Sequence, residues 1–104
     1  MQAATRSEGE SARSGAPPAG GPARVLLVED EPGIVDFVRR GLEAEGFAVQ
    51  AALDGPEGER LALAGGFDVV MLDLMLPGRS GLEVLAAIRR ARPALPVIVL
   101  TARG

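Results

Sequence analysis

The sequence predicts an α/β fold, a parallel sheet with helices on both faces, and three observations carry that expectation. Four short apolar runs recur at residues 25–28, 47–51, 69–72 and 97–100, each too short to be a helix of its own. Stretches with apolar side chains at helical spacing separate them, which is the signature of repeated βα units. The first, third and fourth runs are continuously apolar, as strands are when helices cover both faces of a parallel sheet.

The elements follow in order. Residues 1–23 contain 16 Ala, Gly, Pro or Ser and, apart from Met1, no large apolar side chain, so they are expected to be a disordered leader without a core of its own. The body, residues 24–104, begins at the strand Val25-Leu26-Leu27-Val28. Ile34, Val35, Val38 and Leu42 then repeat at helical spacing, and Gly46 is placed to end that helix. The second strand, 47–51, holds small Ala48 and Ala51 and polar Gln50, which predicts an edge position. A second helix over 56–64 should open on Pro56 and close at Gly65-Gly66. After strand 69–72, Ser80 and Glu83 form a capping box ahead of Leu82, Val84, Leu85 and Ile88, and Pro93 blocks continuation past Arg92. The last apolar run, 97–100, reads as a strand composed for burial, with four residues after it.

Composition excludes more than it suggests. With no Cys and no His there is no disulfide, thiolate nucleophile, Cys/His zinc site or histidine base. All 11 basic residues are Arg, so no lysine serves a Schiff base or a phosphate-binding loop. The formal charge of −3 gives no basic footprint, so neither nucleic acid nor an anionic membrane is an expected partner of this segment. No apolar run near Met1 is long enough for a signal peptide and none elsewhere for a membrane span, which makes the cytoplasm the expected location.

The chemistry-bearing residues stand where strands one and three end. Ligands of open parallel sheets bind beyond the carboxyl ends of the strands, and those ends carry Glu29-Asp30-Glu31 and Asp73. Crowded carboxylates repel unless a cation neutralises them or one stays protonated, and an all-oxygen donor set favours Mg²⁺ or Mn²⁺. Read singly, the acidic trio serves equally well as the lead-in to a helix N-terminus, and Asp73 as a turn former. Together they point to a hard divalent metal.

Four motifs in order carry a resemblance to a known family. They are Val25-Leu26-Leu27-Val28-Glu29-Asp30-Glu31-Pro32; Asp68-Val69-Val70-Met71-Leu72-Asp73-Leu74-Met75-Leu76-Pro77-Gly78; Gly81-Leu82-Glu83-Val84-Leu85; and Pro96-Val97-Ile98-Val99-Leu100-Thr101-Ala102. From Arg24 to Gly104 the chain resembles the receiver domain of bacterial two-component response regulators. Its wording is most similar to regulators whose output is a winged-helix DNA-binding domain. The resemblance implies a flavodoxin-like doubly wound sheet with strand order 2-1-3-4 here, the family's fifth strand and last two helices falling outside the match. It implies Asp73 as the phosphoacceptor for a sensor histidine kinase, Thr101 as the switch hydroxyl, and Mg²⁺ held by Glu29, Asp30, Asp73 and the backbone carbonyl of Met75. Pro77 and Gly78 would shape the loop after Asp73, and Gly81 would sit just inside the third helix.

The family's lysine at the end of the fifth strand has no counterpart, since the sequence contains no lysine. The expected function is therefore phosphorelay signalling toward an output domain outside this chain, with self-catalysed phosphotransfer and no enzymatic activity on other substrates. The alternative expectation is a truncated, non-switching receiver that acts as an interaction module through its uncovered fourth strand, or is a non-functional fragment. A dimer is among the partner states open to it. A metal-dependent hydrolase would need a further acid beside Asp73, where Leu74 and Met75 stand.

Overall fold

The computed structural model describes residues 21–100. Thr101 and residues 1–20 of the expected leader lie outside the described residues. Strands and helices alternate: β1 (Arg24–Val28), α1 (Pro32–Ala44), β2 (Ala48–Ala52), α2 (Gly55–Ala64), β3 (Val69–Asp73), α3 (Gly81–Ala91) and β4 (Val97–Leu100). All strand pairs are parallel and the sheet order is β2-β1-β3-β4, as expected. The chain moves from β1 to β2 in one direction and from β2 to β3 and β4 in the other. Because βαβ crossovers are right-handed as a rule, this reversal puts α1 on one face and α2 and α3 on the other, and the packing of α2 and α3 together agrees with it.

Alternation along the strands builds the core. Leu26, Val28, Val70 and Leu72 share one sheet face and cluster with Ala62 of α2 and with Val84 and Ile88 of α3. Val25 and Leu27 are buried on the other face, and α1 turns its buried Val35 inward. The strongly apolar β1 and β3 are thus the two central strands, while β2 and β4 stand at the edges. On β4, Val97 packs against the core whereas Ile98 and Val99 are exposed among the described residues. No helix among the described residues is long and apolar enough to cross a membrane.

The second strand departs by one residue from the expected 47–51. Phe47 belongs to the turn, where its N–H donates to the Leu42 carbonyl and helps close α1, and the strand extends instead to the buried Ala52. The alanine-rich stretch Ala48-Val49-Gln50-Ala51-Ala52 carries little apolar/polar alternation, so its register cannot be read from the side chains alone. The second helix starts one residue earlier than expected, at Gly55, because Asp54 caps it by accepting from the Glu57 N–H at 2.8 Å.

The expected helix stops are seen. Gly46 and Gly65 adopt φ of +98° and +95° just past α1 and α2, a backbone region that favours glycine. On α3 the Ser80 half of the capping box forms, with the Ser80 hydroxyl accepting from the Glu83 N–H at 3.2 Å. Ser80→Ala should therefore cost about 1 kcal/mol, measured as a lowered urea midpoint with an unchanged slope.

Candidate functional site

Parallel register assembles the site. Val28 of β1 pairs with Leu72 of β3, so the next residues, Glu29 and Asp73, leave neighbouring strands side by side at the carboxyl edge. Asp30 follows at the same edge. One carboxylate oxygen from each of Glu29, Asp30 and Asp73 lies within 4.8 Å of the others. Glu29 and Asp73 are nearly covered, at 2% and 3% exposure, whereas Asp30 is exposed.

Each buried carboxylate is oriented by backbone. Glu29 anchors its strand end by donating its N–H to the Ala52 carbonyl at 3.0 Å, and its Oε2 accepts from the Glu31 N–H at 3.0 Å. Asp73 Oδ1 accepts from the Met75 N–H at 3.1 Å, which curls the following loop back over the carboxylate. Both interactions leave further lone pairs for a ligand.

Glu31 does something else. It is the N-cap of α1, its Oε1 accepting from the N–H groups of Gly33 at 2.9 Å and Ile34 at 3.3 Å. The helix lead-in reading therefore holds for Glu31, and the clustering reading for Glu29, Asp30 and Asp73. The sequence-predicted acids separate into a cap and a three-carboxylate site.

The electrostatics favour a cation. Burial pushes the Glu29 carboxyl above its ordinary 4.5, and the neighbouring Asp73 and Asp30 charges raise it further, against the lowering effect of the Glu31 N–H. An acid whose folded pKa is raised holds its proton where the unfolded chain has released it, so the folded state binds more protons between 4.5 and the raised value. Stability of the metal-free protein should fall as pH rises through that window. Glu29→Gln should remove this part of the slope and raise the urea midpoint at neutral pH in EDTA. An unchanged slope in that variant would show that Glu29 is not the group responsible.

Three oxygen donors on a rigid sheet edge, two of them buried and mutually repelling, suit a small hard dication such as Mg²⁺. The loop after β3 supports the same edge. Pro77 accepts at its carbonyl from the Gly55 and Arg79 N–H groups, and Gly78 takes a φ of +83°. Gly81 opens α3, as expected. The fourth sequence-predicted side chain, Thr101, lies outside the described residues, but its neighbour Leu100 is the register partner of Asp73. The sequence reading did not identify Gly55 and Glu59, whose part in holding this loop depends on contacts between α2 and the loop. The Asp54-Gly55-Pro56 turn signal could have flagged Gly55, and no local signal marks Glu59.

The comparisons with known proteins bear on this geometry. The model of the response regulator receiver domain family matches residues 25–104. Among curated proteins, YkoG of Bacillus subtilis, named a transcriptional regulatory protein, is 48% identical over 79 residues, covering 76% of this chain and 35% of its own. The transcriptional regulatory protein TcrA of Mycobacterium tuberculosis is 46% identical over 81 residues, 78% of this chain and 32% of its own. The chain thus spans about a third of the length of these curated relatives. The crystal structure of the response regulator TrrA from Thermotoga maritima with Mg²⁺-BeF superposes with a TM-score of 0.76 at 38% identity, over 79% of this chain and 71% of that one. TrrA in complex with the histidine kinase ThkA matches with a TM-score of 0.74 over the same shares.

Proposed function

Starting from the premise that this chain belongs to the response regulator receiver domain family of two-component signalling, we propose that Asp73 is its phosphoacceptor, with Glu29 and Asp30 as the acidic partners that hold Mg²⁺. The single observation that carries this reading is the convergence of the three carboxylates at the carboxyl edge of β1 and β3, with Asp73 buried and oriented by the Met75 N–H.

In this reading an Asp73 carboxylate oxygen attacks the phosphorus of a phosphohistidine on a partner kinase. The P–N bond breaks, its electron pair returns to the histidine nitrogen, which takes up a proton, and an acyl phosphate remains on Asp73. The chain has no histidine, so the phosphoryl group comes from another protein or from a small donor. Glu29, Asp30 and Asp73, with the backbone carbonyl of Met75, would hold Mg²⁺, which when bound offsets negative charge developing on the phosphoryl oxygens. Thr101 would supply the switch hydroxyl.

The domain assignment proposed with it is a leader over 1–23 and receiver sequence over 24–104. Its partners would be a sensor histidine kinase and an output domain of the winged-helix DNA-binding class, in the cytoplasm. The transcriptional regulatory names of its relatives and the ThkA–TrrA complex support that assignment. The reaction is self-catalysed phosphotransfer, not turnover of a separate substrate.

The test is incubation with acetyl phosphate and Mg²⁺, followed by intact mass and peptide mapping. A gain of one phosphoryl group on the peptide containing Asp73, dependent on Mg²⁺, is the expected result. No gain under conditions where the protein is folded would overturn the assignment.

A further inference from the structure

The loop between β3 and α3 meets α2 along a seam that contains an ion pair. Gly55 opens α2 against the loop so closely that a Cβ there would stand 2.4 Å from the Arg79 carbonyl oxygen. The Gly55 N–H reaches the Pro77 carbonyl at 3.4 Å, and a Cβ on Gly78 would lie 3.2 Å from Pro56 Cδ. One turn further along α2, Glu59 Oε1 faces Arg79 Nε at 3.1 Å. Arg79 Nε is shielded from solvent, and the Glu59 side chain is only 21% exposed. The contact is an ion pair, not an aligned hydrogen bond, so Glu59 is the charge that this covered nitrogen meets.

We propose that Glu59 and Arg79 are positioning residues for the candidate site: their ion pair pins the loop that begins at Asp73 and carries Met75 to the start of α2, and so sets the loop for cation binding. The inference rests on the reading of the site given above. Neither residue touches the three carboxylates. Arg79 ends the loop immediately before the Ser80 cap, and Met75 leads it through its N–H bond to Asp73. Between the Asp73 bond at one end and the cap at the other, Leu74 and Leu76 pack against the core, and Pro77 to Arg79 meet α2. Releasing Arg79 removes the side-chain anchor of segment 75–79 on α2 and leaves the Gly55–Pro77 bond and the sheet in place.

Charge makes the proposal falsifiable. If Glu59 and Arg79 acted only through their fields, Glu59→Gln would remove a negative charge and weaken Mg²⁺, whereas Arg79→Gln would remove a positive one and strengthen it. If they act through the contact, both variants weaken it. The experiment uses the full chain and compares wild type, Glu59→Gln, Arg79→Gln and the double variant. Amide hydrogen exchange at residues 74–79 is read without metal, and Mg²⁺ affinity is read by titrating the same amide resonances. Both single variants should exchange faster in the loop and bind Mg²⁺ more weakly, each by about threefold, as for one partly exposed ion pair. The double variant should be no worse than either single, since the contact is lost once. Opposite shifts in the two single variants, additive losses, or unchanged loop exchange would each overturn the proposal. Acetyl phosphate labelling of the wild type is scored separately. Failure of that labelling overturns the phosphoacceptor reading, while the exchange result still decides whether the seam holds the loop.

Discussion

Asp73→Asn should abolish phosphorylation by acetyl phosphate and weaken Mg²⁺ by about tenfold or more, because the variant loses both the nucleophilic oxygen and one of three clustered charges. Its fold should survive. An asparagine can still accept the Met75 N–H at Oδ1, so the loop keeps its bond, and one source of repulsion on Glu29 disappears. The metal-free variant should therefore be at least as stable as wild type at neutral pH. The Glu29 carboxyl should move down toward its ordinary 4.5, flattening the pH dependence of stability. This pairing separates lost chemistry from lost structure: a silent mass spectrum with a higher urea midpoint supports the role of Asp73. A phosphoryl group still present on Asp73→Asn, mapped to Glu29 or Asp30, would move the acceptor to another carboxylate of the cluster.

How far such a site can be read before folding depends on which interactions make it. Strands β1, β3 and β4 are legible because buried parallel strands need unbroken apolar runs, and 25–28, 69–72 and 97–100 supply them. The carboxyl-edge rule then places Glu29, Asp30 and Asp73 near one another without any coordinates. Their approach to within 4.8 Å comes from the register of β1 on β3, which hydrophobicity alone does not set to the residue. Glu31 shows the limit of reading by type. It is an acid between two site residues and a helix, and only its bonds to Gly33 and Ile34 show which of the two it serves. The seam between α2 and the β3–α3 loop was not legible for a different reason. Glu59 and Arg79 are 20 positions apart on a helix and a loop, and no local periodicity couples them.

Glycine placement also reads differently in the fold than in the sequence, and Gly81→Ala tests it. A Cβ on Gly81 would lie 2.3 Å from Leu74 Cα, 2.6 Å from the Asp73 carbonyl oxygen and 2.9 Å from the Leu74 carbonyl carbon. All three are backbone atoms, so no rotamer change relieves the contact and either α3 or the end of β3 must move. Overpacking of this kind costs about 1–3 kcal/mol and more where the obstacle is rigid, against a helix-propensity gain of at most about 1 kcal/mol for Gly→Ala. A net loss of about 2 kcal/mol or more should follow, together with weaker Mg²⁺ binding, because the displaced atoms belong to Asp73 and the residue after it. Gly41, inside α1, is the matched control, since a Cβ there meets nothing within 4 Å. Gly41→Ala should be neutral or stabilising by up to about 1 kcal/mol. The two urea midpoints should therefore move in opposite directions. If Gly81→Ala instead matches Gly41→Ala, the close approach of α3 to the end of β3 is not what positions Asp73, and the β3–α3 junction must tolerate more movement than its contacts allow.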